Sequence, residues 1–121
     1  MMLIEKIVLD YLSENLMVPV YMEVPEVPSE LHAVMPTEFV VIDKFAGSVT
    51  NKVWSASIAI QSYSLTSMYG AALLNDAVHE VMDEMADHVP EISGCKMTAD
   101  TNFTDVRTKR YRYQCTYNIF Y

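Results

Sequence analysis

Between Ser62 and Ser67 the apolar pattern of this chain changes period, and no other stretch constrains the fold as tightly. Upstream, Trp54, Ala56, Ile58 and Ile60 alternate with Ser55, Ser57, Ala59 and Gln61, the two-residue repeat of a half-buried strand. Downstream, Ala71, Leu74, Val78, Val81, Met82 and Met85 recur at steps of three and four, so they share one helix face. A strand therefore feeds a long amphipathic helix. Its start falls near Ser67, with Ser64, Thr66 or Ser67 able to cap it, and Asp87, His88 and Pro90 put its end near Ala86.

The same reading extends both ways. Ile4, Ile7, Val8, Tyr11 and Leu12 have helical spacing and predict a first helix over residues 2–15, which Pro19 ends. Val20, Met22 and Val24 alternate as a short strand, and Pro25, Pro28 and Pro36 keep the following stretch irregular. Phe39 to Phe45 reads as a strand that pairs with the Trp54 strand through a hairpin tip at Gly47 to Lys52. Near the end, Cys95, Met97 and Ala99 alternate, a polar stretch from Asp100 to Asp105 intervenes, and Tyr111, Tyr113, Cys115, Tyr117 and Ile119 form a strand with an aromatic face. The predicted order is α-β-β-β-α-β-β: an α+β fold in one domain spanning residues 1–121, its mixed, mostly antiparallel sheet packed on two helices.

A chain of 121 residues suits a single domain with a core of its own. No apolar run reaches the roughly 18 residues of a membrane span, and Glu5, Lys6 and Asp10 interrupt any signal-peptide core at the start, so a soluble, unexported domain is expected. Cys95 and Cys115 lack a CxxC pair and fall on apolar strand faces, where a thiol acts as a small hydrophobe rather than a nucleophile or zinc ligand. His79 and Asp83 lie one helical turn apart, but among Asp76, Glu80, Glu84 and Asp87 they read as a solvated helix face and not a metal site. Gly47, Gly70 and Gly94 are too scattered for a phosphate loop, and no serine lies in a nucleophile elbow.

A formal charge of −8 disfavours general nucleic-acid affinity, yet Arg107, Lys109, Arg110 and Arg112 concentrate half of the positive charge within six residues. We expect these four cations to meet the helix acids Asp76, Glu80, Asp83, Glu84 and Asp87 of a neighbouring copy. Pro25, Pro28 and Pro36, with Gly47, Asn51 and Lys52 of the hairpin tip, are expected on loops that contact other partners.

In pattern and order, nearly the whole chain resembles the tail terminator or tail completion proteins of long-tailed bacteriophages, also described as minor capsid or head-tail joining proteins. The residues that carry the resemblance are PVYMEVPEVP from Pro19 to Pro28, EFVVID from Glu38 to Asp43, IAIQSYSLTSMYGAALLNDAVHEVM from Ile58 to Met82, and RYRYQCTYNIFY from Arg110 to Tyr121. The resemblance implies a virion structural protein, assembled in the cytoplasm of a bacterial host, whose copies form a ring, usually sixfold, that ends the tail tube. Its partners would be itself, the tail tube protein and the head connector, with DNA passing through unbound. It implies no catalytic residue, cofactor, metal or membrane. A rival reading is a small α+β ligand-binding or regulatory module, dimeric, with an apolar pocket between sheet and helix. A hydrolase using serines or histidines is the third.

Overall fold

The computed structural model describes residues 3–23, 37–104 and 110–121. Helix α1 spans Ile4–Asn15 and buries Ile4, Val8, Tyr11 and Leu12, the predicted stripe. Lys6 and Asp10 form an ion pair one turn apart on its solvent side, at 3.0 Å. Strand β1 is only Val20–Tyr21, parallel to Val40 and Val41. The predicted alternation through Met22 and Val24 does not continue it: Met22 and Glu23 are in a bend, and Val24 lies outside the described residues.

Strands β2 (Glu38–Thr50) and β3 (Val53–Ser64) form one long antiparallel hairpin. Its tip is narrower than the Gly47–Lys52 loop expected from sequence. Gly47 pairs with Ala56 inside the ladder, and only Asn51 (φ 51°) and Lys52 (φ 66°) make the turn. Positive φ at both central residues is the turn geometry that matches strand twist, and asparagine tolerates it well. Phe45 is an extra residue in β2, a bulge between Lys44 and Ala46.

Helix α2 (Met68–Asp83) begins where the sequence places it, and Ser67 accepts a hydrogen bond from the Gly70 amide at 2.9 Å. It stops short of Ala86. The backbone departs from helix at Glu84, and a separate turn, α3 (Met85–His88), carries Met85 into the same core as Met82. Strands β4 (Gly94–Asn102) and β5 (Tyr111–Phe120) complete a sheet of order β1-β2-β3-β5-β4, parallel only at β1 and β2. The fold is thus α+β with a mixed, mostly antiparallel sheet, in the expected element order with one added helical turn.

Burial is sharply one-sided. On the helix side Val40, Ile42, Ala56, Ile58, Ile60, Cys115, Tyr117 and Ile119 meet Val8, Leu12, Val78 and Met82 in a single core. Each large aliphatic buried there contributes about 1.5–3 kcal/mol. Trp54, grouped by period with the buried residues, is 54% exposed, because the helices end before they reach it. On the other face a small cluster of Phe39, Val41 and Tyr63 forms, with the Phe39 and Tyr63 rings stacked at 4.8 Å.

Candidate interaction surface

The outward stripe of α2 and α3 divides into two halves. Tyr69 and Leu73 are exposed at the start, and Asp76, Glu80, Asp83, Glu84 and Asp87 are exposed beyond them. Steps of three and four residues place them along one side, opposite the buried stripe. The one contact these acids make with a basic side chain among the described residues is Glu84 with His88, at 3.5 Å. His79 is turned inward instead, its Nδ1 lying 3.3 Å from the Tyr117 hydroxyl.

The cationic cluster is described only in part. Arg107 and Lys109 lie outside the described residues, as do Pro25, Pro28 and Pro36. Arg110 is exposed just before β5. Arg112 is less free than its sequence position suggested. Its guanidinium sits 5.8 Å from the Tyr63 ring centre and 5.4 Å from that of Phe103, and its Nη1 donates to the Tyr63 hydroxyl at 3.2 Å. Two aromatic rings and a hydroxyl therefore hold this charge in place, in a shallow cleft shared with Arg110. The pairing of β3 with β5 brings Tyr63 opposite Arg112, a contact between residues 49 apart in sequence that local periodicity does not display.

Sequence reasoning also missed an apolar surface at the hairpin. Beyond Ile42, β2 is a sheet edge with β3 on one side only, and Val49 and Trp54, paired on one face, are about half exposed, as are Val53 on the other face and Phe45 at the bulge. The Trp54 ring stacks on Tyr121, and Lys44 and Lys52 flank the patch. The signal was present, since Val49 and Val53 adjoin a two-residue turn and have little opportunity to reach a core.

Under α2 lies a polar network. The Asn75 amide donates to Asp100 at 2.9 Å, and the Cys115 thiol donates to Asn75 Oδ1 at 3.2 Å. Asp100 reaches this inner face because an extra residue at Thr98 breaks the expected Cys95, Met97, Ala99 alternation and shifts the register. The strand then runs on to Asn102, through what the sequence suggested was a polar break. Burial is the main cause that pushes both thiols up to about 11, with Asp100 adding to it at Cys115 and Asp83 at Cys95. Burial likewise raises the Tyr117 phenol. These are thiols held protonated, the opposite of what a nucleophile needs.

Among the described residues no three His, Cys, Asp or Glu side chains gather as a metal cage, and no helix is long and apolar enough to cross a membrane. Among the described residues one surface cleft, between α1 and α3, is lined by Ile7, Tyr11, Asn15, His88 and Val89. Comparison of the sequence with protein-family models and with curated proteins finds no match.

Proposed function

We propose that this protein is a structural subunit of a phage or prophage virion, whose copies close into a ring, sixfold by the resemblance, that ends the tail tube and docks on the head connector. The observation that carries the reading is segregation of charge. Acids occupy the outward stripe of α2 and α3, while Arg110 and Arg112 occupy the start of β5, so one copy offers two different and complementary patches. A head-to-tail ring requires two unlike patches, whereas a two-fold dimer requires one that complements itself. Individual exposed ion pairs are worth little, about 0–1 kcal/mol each, so the charges select the register and direction of assembly more than its strength. The resemblance across Pro19 to Pro28, Ile58 to Met82 and Arg110 to Tyr121 supports the same reading.

The test is Arg110→Glu. Arg110 is exposed, so its reversal leaves the fold intact, and the expected result is an unchanged circular dichroism spectrum together with the loss of rings in negative-stain images. Rings that form as before would remove the charge argument. Labelled protein binding at one end of isolated tail tubes, and nowhere along them, is the result expected for the terminator role.

A further inference from the structure

We propose that the cleft formed by Tyr63, Phe103, Arg110 and Arg112 receives one carboxylate side chain, that of Asp83, Glu84 or Asp87 of the next copy, gripped by the Arg112 guanidinium. This inference rests on the ring reading and names the group that one patch recognises in the other. Its first ground is the way Arg112 is held. It lies three residues before Cys115 on β5, so it faces away from the helix-side core, as does Arg110 two residues earlier. Gln61 Nε2 donates to Gln114 Oε1 at 3.3 Å, the Tyr63 hydroxyl donates to Gln61 Oε1 at 3.0 Å, and Arg112 Nη1 donates to the Tyr63 hydroxyl at 3.2 Å. A chain of neutral groups and the Tyr63 and Phe103 rings thus fix the guanidinium. Among the described residues no aspartate or glutamate pairs with Arg112 or Arg110. A guanidinium offers its N–H donors as a planar fork that fits a carboxylate bidentately, and one already held in place binds with little further ordering cost.

Size and charge narrow the occupant. The cleft holds about 190 Å³, whereas sites for whole small molecules run to roughly 300–1,000 Å³, so a single oxyanion group fits and a metabolite does not. With a formal charge of −8, most of this surface repels a phosphate backbone. The acids of a second copy suffer no such penalty at the arginines, and they lack partners of their own. Among the described residues Asp83 and Asp87 touch no basic side chain, and Glu84 touches only His88.

The second ground is direction. Met68 lies beside Asn102, Asn75 beside Cys115 and His79 beside Tyr117, at 3.7, 3.2 and 3.3 Å, so α2 runs along β5 from its Arg112 end toward Phe120. Asp83, Glu84 and Asp87 therefore lie at the far end of the sheet from the cleft, and on its other face. The 10 residues of β5 span roughly 30 Å, several times the screening length of about 8 Å at physiological salt, so a copy cannot fill its own cleft. Unlike patches that look in opposite directions from opposite ends join neighbours of similar orientation, which a head-to-tail ring uses and a two-fold dimer does not.

Lysine keeps the charge of arginine and removes the fork, so paired lysine variants test the contact. Arg112→Lys is expected to raise the protein concentration needed for ring formation by about tenfold or more, and Arg110→Lys by less than about threefold. Thermal melts check that both fold. In a double-mutant cycle, one of Asp83→Asn, Glu84→Gln and Asp87→Asn is expected to weaken assembly as much as Arg112→Lys and to add nothing when combined with it. These three acids are exposed, so their variants report on assembly whether or not the lysine variant folds. Three amide variants that all assemble like the wild type, or rings from Arg112→Lys at the wild-type concentration, would overturn the contact; loss of rings in Arg110→Glu would then leave the ring reading standing without it. A gel shift of duplex DNA by the wild type that Arg112→Lys abolishes would assign the cleft to phosphate and overturn the carboxylate. A wild type that forms no ring at any concentration, alone or on tail tubes, removes the ring reading and this contact with it.

Discussion

Strand β3 belongs to two different regions of this molecule. From Ala56 to Ser64 it is the middle of the sheet, with Ala56, Ile58 and Ile60 sealed beneath the helices, whereas around Val53 and Trp54 the same strand stands in water with Val49 opposite. The residue types barely differ. What differs is coverage: α1 and α2 end before the hairpin does, so equal hydrophobicity yields a core in one place and an unpartnered surface in the other. The fold is stabilised by the first region and gains almost nothing from the second.

The sharpest contrast comes from truncating one residue in each region. Ile60→Ala, at a site with no exposure, is expected to lower unfolding free energy by about 3 kcal/mol in urea denaturation. High pH probes the covered region by another route. Folded Cys95 and Cys115 have thiols raised from 9.0 to about 11, so the unfolded chain releases its protons first. Stability is then fully present below pH 9 and is lost as pH rises toward 11, and melting temperatures across that window should fall less steeply for Cys115→Ala. At the helix start, Ser67→Ala removes the hydrogen bond from Gly70 and should cost about 1 kcal/mol.

In the hairpin the expected effects are smaller and one has the opposite sign. Lys52 adopts φ 66°, a conformation glycine accepts without strain, so Lys52→Gly should stabilise the monomer by up to about 1 kcal/mol. Val49→Ala should change monomer stability by less than about 0.5 kcal/mol. A loss from Val49→Ala as large as that from Ile60→Ala would erase the distinction between the two regions.

Periodicity made the covered region legible. The stripes Ile4 to Leu12 and Ala71 to Met85, and the alternations of β3 and β5, were all readable because each is a local repeat that one flat core enforces. Departures from local repeat were not readable. The Thr98 bulge carries Asp100 to Asn75 and Cys115, the break at Glu84 ends α2 early, and Arg112 meets Tyr63 only through strand pairing. Of the expected surface, the acidic stripe and Arg110 are exposed and Asn51 and Lys52 form the turn, while Gly47 belongs to the strand. The apolar hairpin residues were overlooked because a valine or tryptophan in a strand reads as core until the helices above it are seen to stop.

In the ring we propose, the uncovered surfaces join unlike to unlike. Light scattering coupled to size exclusion over a concentration series tests it most directly. The account predicts growth with concentration to one closed species, a ring, with no stable dimer on the way. A dimer of constant mass at every concentration would contradict it, since that requires a single self-complementary patch and would return the ligand-binding module as the better reading.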